Sequence, residues 1–226
     1  MDFNVKNLFV FEIGGIEVWI TQTIVNTWII MLVLIAFAVY TRIRLRKFEE
    51  IPTGFQNVVE LGVEAFDDMA RETAGDELMS LGSWFFMVFL FVTLANLSGL
   101  VGLRPPTADF ATPLALALAT FFLIQIMGLK FRKGDYLRSF FEPNLIFFPL
   151  NVIGEIARPI SLSFRLFGNI LAGLILMTLI YALLPTVIRL VLPAALHAYF
   201  DLFTGVLQTY IFCVLSLTFI KGAAEP

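Results

Sequence analysis

The chain has 226 residues, 59% of them hydrophobic and 15% charged, with 25 phenylalanines, a mean hydropathy of +0.88 and a net charge of −3. A water-soluble domain of this length could not hide so much apolar surface, so the composition marks an integral membrane protein. The acidic balance and the lack of a basic face argue against a nucleic-acid partner, and Cys213, the single cysteine, excludes an internal disulfide or a cysteine metal cluster.

The N-terminal stretch MDFNVKNLFVFEIGGIEVW carries acids and only Lys6 before the first long apolar run. It lacks the basic start of a cleaved signal peptide, so the first helix is expected to stay as an anchor. Runs long enough to cross about 30 Å of hydrocarbon predict a first helix near Ile24 to Thr41, a second near Leu81 to Leu103 and a third near Pro113 to Leu129. Between the first two, residues 54–75 mix Phe55, Val58, Leu61 and Phe66 with Glu60, Glu64, Asp67, Asp68, Arg71 and Glu72. That pattern predicts an amphipathic surface helix or a soluble-side connector, too charged to span. After the polar loop KFRKGDYLRS come two apolar regions, 144–184 and 186–221. Each exceeds the roughly 20 residues a perpendicular span needs, which leaves broken hairpins or long, strongly tilted helices. The expected fold is all-α: a single polytopic membrane domain over 1–226, with five spanning helices and one surface helix.

Arg42, Arg44, Arg46 and Lys47 follow the first helix, Lys130, Arg132, Lys133 and Arg138 follow the third, and Lys221 follows the last. Placing these segments in the cytoplasm leaves only Lys6, Arg104 and Arg189 outside, which predicts an outer N-terminus and an inner C-terminus.

Polar chemistry concentrates in the last two regions. At 100° per residue, Asn151, Glu155, Arg158, Arg165 and Asn169 fall in a stripe roughly 80° wide. His197, Asp201, Thr204 and Gln208 form a second. Facing each other, the two stripes would make a polar seam. Arg165 is the hardest to explain as structure, because an arginine at the centre of a membrane helix costs roughly 2.5 to 3.5 kcal/mol. It also keeps its proton, which suits a fixed electrostatic element on an ion pathway better than a proton carrier. Glu155 and Arg158 have two readings, a mutually neutralising pair or part of the ion path. Asn169 and Gln208 could serve the path or cross-link helices. His197 could belong to the path or sit at the outer interface. Asp201, a membrane carboxylate without a nearby basic residue on its own helix, needs a partner, a proton or water.

The segment RPISLSFRLFGNILAG, Arg158 to Gly173, closely resembles the signature of subunit a of F-type ATP synthases. LANLSGLVGLRPPTAD, Leu94 to Asp109, and DLFTGVLQTYIFCVLSLTFI, Asp201 to Ile220, are similar to the second spanning helix and the last helix of that family. The resemblance implies a stator subunit of the membrane sector lying against a rotating ring of c subunits, with a b-type peripheral stalk and the other synthase subunits as partners. Arg165 would divide two half-channels. Asn169 and Gln208 would be its polar neighbours, Glu155 and Ser161 would line the cytoplasmic exit, and Asp201 would serve the outer entrance, with His197 one turn away. Nine residues after the arginine, where many members carry Glu or His, this chain has Leu174, which reduces a pair of relay groups to one. A proton is the default ion, no cofactor or metal is expected, and the chain itself is expected to catalyse no covalent step. A bacterial plasma membrane is favoured by the short N-terminus without a transit peptide.

Other classes remain as alternatives. A secondary ion-coupled transporter would also place charges at midmembrane, but no internal repeat is evident. A structural assembly subunit would need only a charge at Arg165. An intramembrane hydrolase is disfavoured by one His and the lack of GxSxG or HExxH.

Overall fold

The computed structural model describes residues 7–13, 16–45, 53–185, 192–193 and 195–225. Lys6, Arg46, Lys47 and Arg189, used above to assign orientation, lie outside the described residues. Two antiparallel strands, β1 (Asn7–Ile13) and β2 (Ile16–Thr21), form a hairpin that precedes the first helix. The helices are α1 (Gln22–Arg44), α2 (Phe55–Ala74), α3 (Gly82–Leu97), α4 (Ala111–Arg132), the short α5 (Gly134–Ser139), α6 (Phe148–Leu183) and α7 (Gly205–Ala224). A π-helical segment, Ala198–Thr204, leads into α7.

Among the described residues, five helical segments are long and apolar enough to span a membrane: Gln22–Arg44, Asp76–Val101, Ala111–Arg132, Leu145–Leu183 and Ala195–Ala224. The all-α expectation therefore holds, with the hairpin as an addition that the search for long apolar runs did not anticipate. Within region 144–184, Phe148–Leu183 is one continuous helix and not a broken hairpin; in region 186–221, residues 186–191 and 194 lie outside the described residues. Pro149 sits in the first turn of α6, where a missing N–H costs nothing, and Pro159 lies within the helix without ending it.

The chain divides into two compact units, one of Met1–Phe48, Leu90–Asp109 and Phe167–Thr209, the other of Glu49–Phe89, Phe110–Leu166 and Tyr210–Pro226. In the first, α1 buries a stripe of Thr23, Asn26, Ile30 and Leu34, spaced three and four residues apart on one face. Its lower half, Ile30 and Leu34, packs with Ala95 and with Leu90, Phe91 and Leu94 of α3. Its upper, polar half is satisfied by the loop before α4: the Thr23 hydroxyl donates to Asp109, and Asn26 Nδ2 donates to the Arg104 carbonyl at 2.9 Å. Arg104 in turn pairs with Asp109 at 3.1 Å. The other faces of α1 expose Trp28, Leu32, Val33 and Ile35, as a lipid-facing helix should.

In the second unit, α2 packs on the start of α3, burying Ala70, Ala74, Leu78, Leu81 and Phe85 in one cluster with Ile124, Tyr136, Cys213, Leu217 and Ile220. The backbones come unusually close here. A Cβ added to Gly82 would lie 2.2 Å from Asp67 Oδ1 and 2.7 Å from its Cα, so only glycine fits. The surface helix expected over 54–75 is α2, whose outward face presents Val58, Leu61, Glu64, Asp68 and Glu72.

Candidate functional site

Arg165 stands at the middle of α6, seventeen residues after Phe148 and eighteen before Leu183. At about 1.5 Å per residue it is roughly 25 Å from either end of the helix. Its side chain is exposed. Among the described residues its guanidinium has no hydrogen-bond or ion-pair partner. On one side of it the face is small: Ala157, Ser161, Gly168 and Ala172 fall within about 80° of it around the axis and are also exposed. A guanidinium is thus presented on a shallow surface that another helix could approach closely.

The other members of the first polar stripe find local partners. In the second unit, Asn151 Nδ2 donates to the carbonyls of Phe140 and Glu142, at 2.9 and 3.0 Å, which ties α6 to the end of α5. Glu155 Oε1 lies 2.6 Å from Arg158 Nη1, so these two do neutralise each other, and the Arg158 guanidinium rests over the Phe219 ring at 5.5 Å. The pair opens into a cavity of about 420 Å³ whose polar lining includes Arg132, Tyr136, Ser139, Asn151, Glu155 and Arg158. Pairing and access to a polar cavity are therefore compatible properties of Glu155. Burial pushes the Tyr136 hydroxyl above its ordinary range, and the negative charge of Glu155 adds to that.

In the first unit, Asn169 Nδ2 donates to Gln208 Oε1 at 2.6 Å, a direct bond between members of the two stripes. Gln208 is buried, and its Nε2 has no partner among the described residues. His197 Nδ1 lies 2.5 Å from Asp201 Oδ2, which gives the carboxylate the partner that its position demands. The far ring nitrogen, Nε2, faces the Tyr181 hydroxyl of α6 at 3.4 Å. Asp201 also lies against Gly99, where an added Cβ would be 3.7 Å from its carboxylate. The π register of Ala198–Thr204 turns Asp201 away from the face it would share with Gln208 on an unbroken α-helix. A wider helical turn of this kind often marks a functional position.

Just beyond it, Asn96 holds the unit together. Its Nδ2 donates to the Gly205 carbonyl at 3.0 Å and to Thr209 Oγ1 at 3.3 Å, while its Oδ1 accepts from Thr107 at 2.7 Å. Asn96 thereby fixes the loop before α4 to the first turn of α7. Tyr181, Gln125, Tyr136 and Asn96 were not singled out from the sequence as site residues. A lone amide in an apolar run was the available signal for Gln125 and Asn96; nothing local marks the two tyrosines.

The family model described as ATP synthase A chain matches residues 24–221. ATP synthase subunit a of Moorella thermoacetica is 35% identical over 97% of this chain and 97% of its own length. ATP synthase subunit a 2 of a Bradyrhizobium strain is 38% identical over 94% and 92%, and the sodium ion specific ATP synthase subunit a of Propionigenium modestum is 32% identical over 90% and 74%. With a family match across nearly all of its membrane region and the five spanning helices described above, the chain is a multi-pass membrane protein that belongs to the subunit a family of F-type ATP synthases.

Proposed function

We propose that this subunit conducts protons to and from a ring of c subunits through two half-channels separated by Arg165. The observation that carries it is the exposed, unpartnered guanidinium at the centre of a 36-residue apolar helix. A cation there attracts a deprotonated ring carboxylate, favours release of its proton and blocks a continuous leak. The small residues on one side of Arg165 give the ring helix room to pass. Each charge crossing the field gains about 2.3 kcal/mol per 100 mV, which biases the direction of rotation.

His197 and Asp201 form the outer path, with Tyr181 holding the second ring nitrogen. Imidazole can take a proton on one nitrogen and give one from the other, so His197 supplies the relay group that Leu174 does not. The cavity at Glu155 is the cytoplasmic path, and Ser161 lies between it and Arg165 along α6. Asn169 presents a neutral polar group one helical turn beyond the arginine on α6, held in place by the buried Gln208. The N-terminus is outside and the C-terminus in the cytoplasm of a bacterial plasma membrane, with a b-type stalk subunit holding this chain against the turning ring.

The test is ATP-driven proton pumping by the assembled complex in inverted vesicles. Arg165→Ala and Arg165→Lys should both abolish pumping at normal assembly, because ammonium does not reproduce the guanidinium fork. Asp201→Asn should reduce it severely, and added Na⁺ should not alter the wild type. Normal pumping by Arg165→Lys would return the arginine to a structural charge.

A further inference from the structure

Among the described residues lining the cavity in the second unit, Glu155 is the sole carboxylate. Its two oxygens have different partners. Oε1 meets Arg158 on its own helix at 2.6 Å, whereas Oε2 accepts a long hydrogen bond of 3.4 Å from Gln125 Nε2 of α4. The other end of the Gln125 amide is also occupied, since Tyr136 of α5 donates its hydroxyl to Oε1 at 2.9 Å. Tyr136 can reach that far because Gly128, one turn after Gln125, has no side chain. A Cβ there would lie 2.6 Å from the tyrosine ring. The ring is only 4% exposed and meets Phe140 edge-on at 5.3 Å, so its hydroxyl has a fixed place.

An amide can present either its NH₂ or its oxygen to a neighbour, and the surrounding network decides which. With the Tyr136 hydroxyl donating to the oxygen, the NH₂ is turned to the carboxylate. That arrangement suits ionised Glu155, which only accepts. A protonated Glu155 keeps one accepting oxygen but is the weaker acceptor, so the donated bond is stronger to the carboxylate. Burial and the charge of Glu155 keep the Tyr136 hydroxyl protonated above its ordinary range, so it remains a donor at working pH.

We infer that Gln125, held by Tyr136, is a positioning residue for Glu155: its donated bond aims the carboxylate into the cavity as an acceptor for protons on their way to and from the cytoplasm. This rests on the cavity being the cytoplasmic path. The charged or titratable groups facing Glu155 are Arg158 on α6, Arg132 at the end of α4 and Tyr136 on α5; α7 contributes only Gly222 and Ala223 to the lining. Gln125 is the neutral group that distinguishes one charge state of Glu155 from the other.

The experiment is ATP-driven pumping in inverted vesicles as a function of the external pH, which is the cavity side. Gln125→Met keeps the side-chain length and removes both hydrogen bonds. It should assemble normally and move the pH midpoint of pumping upward by about 0.5 to 1 unit, because a donor to the charged form has been lost. Tyr136→Phe should move it the same way by less, since the amide is then free to turn over. In a Glu155→Gln background, Gln125→Met should produce no further shift. Wild-type profiles for Gln125→Met and Tyr136→Phe, with pumping lowered by Glu155→Gln, would overturn the positioning role and leave the cavity as the path. An equal shift in the Glu155→Gln background would show that Gln125 acts elsewhere and overturn it too. Unchanged pumping by Glu155→Gln would remove the cavity from the path, and Gln125's role with it.

Discussion

Replacing Asn96 by leucine, which keeps the branched outline and removes every polar side-chain atom, should weaken the unit that carries Asp201. Three hydrogen bonds are lost: to the Gly205 carbonyl, to Thr209 and from Thr107. The Gly205 carbonyl keeps a partner, because Thr209 Oγ1 also donates to it at 2.8 Å. Thr107 does not, and it is completely buried. Side-chain bonds between membrane helices average about 0.6 kcal/mol, and an orphaned buried hydroxyl costs about 1 to 3 kcal/mol. The expected loss is therefore about 2 to 4 kcal/mol. Thr107→Val removes the donor to Asn96 Oδ1 and leaves that buried oxygen unmet, so it should cost about 1 to 3 kcal/mol. The double variant should cost less than Asn96→Leu alone, since Thr107→Val takes away the hydroxyl that Asn96→Leu orphans. Equilibrium unfolding in mixed SDS micelles measures all three. A loss below about 0.5 kcal/mol for Asn96→Leu, or strict additivity of the pair, would refute the network as a source of stability.

Gly82→Ala places a methyl group against the backbone of Asp67, which cannot rotate away; α2 should be displaced and the amount of assembled complex should fall sharply on native gels. Tyr136 titrates above its ordinary value in the folded state, so its contribution to stability is complete below about pH 10 and declines as pH rises through the folded value. Alkaline unfolding of the wild type should steepen above about pH 10, and Tyr136→Phe should remove that component. Tyr181→Phe removes the partner of His197 Nε2 and leaves the imidazole free to change tautomer. Pumping at a given outer pH should fall severalfold and its pH dependence should change, whereas a merely structural contact would leave the profile in place.

Much of the architecture was legible because a membrane leaves few solutions. Spanning helices announce themselves as long apolar runs, and the predicted first helix, 24–41, differs from α1 only in that α1 extends by two residues at its start and three at its end, most of them polar. Arg165 was legible for the opposite reason: a charge in such a run is too costly to be incidental. The hairpin was missed because a search for long apolar runs ignores period-two alternation, although Gly14–Gly15 between NLFVFEI and IEVWIT is a turn signal in the sequence. Tyr136 reaches Gln125 because of an absent side chain at Gly128, a fact about the space between two helices. Tyr181 and His197 meet only once α6 and the segment before α7 lie side by side. The π turn at Asp201 has no compositional mark, so the single stripe inferred for His197, Asp201 and Gln208 assumed an α-helical period that the chain does not keep there.

The most direct measurement is passive proton flow through the membrane sector after removal of the catalytic head, compared in vesicles with wild-type subunit and with Arg165→Ala at equal assembly. If Arg165 is the barrier between two half-channels, Arg165→Ala should conduct protons without rotation of the ring while ATP synthesis and ATP-driven pumping are both lost. Retained synthesis, or a membrane as proton-tight as one without the complex, would contradict the arginine gate.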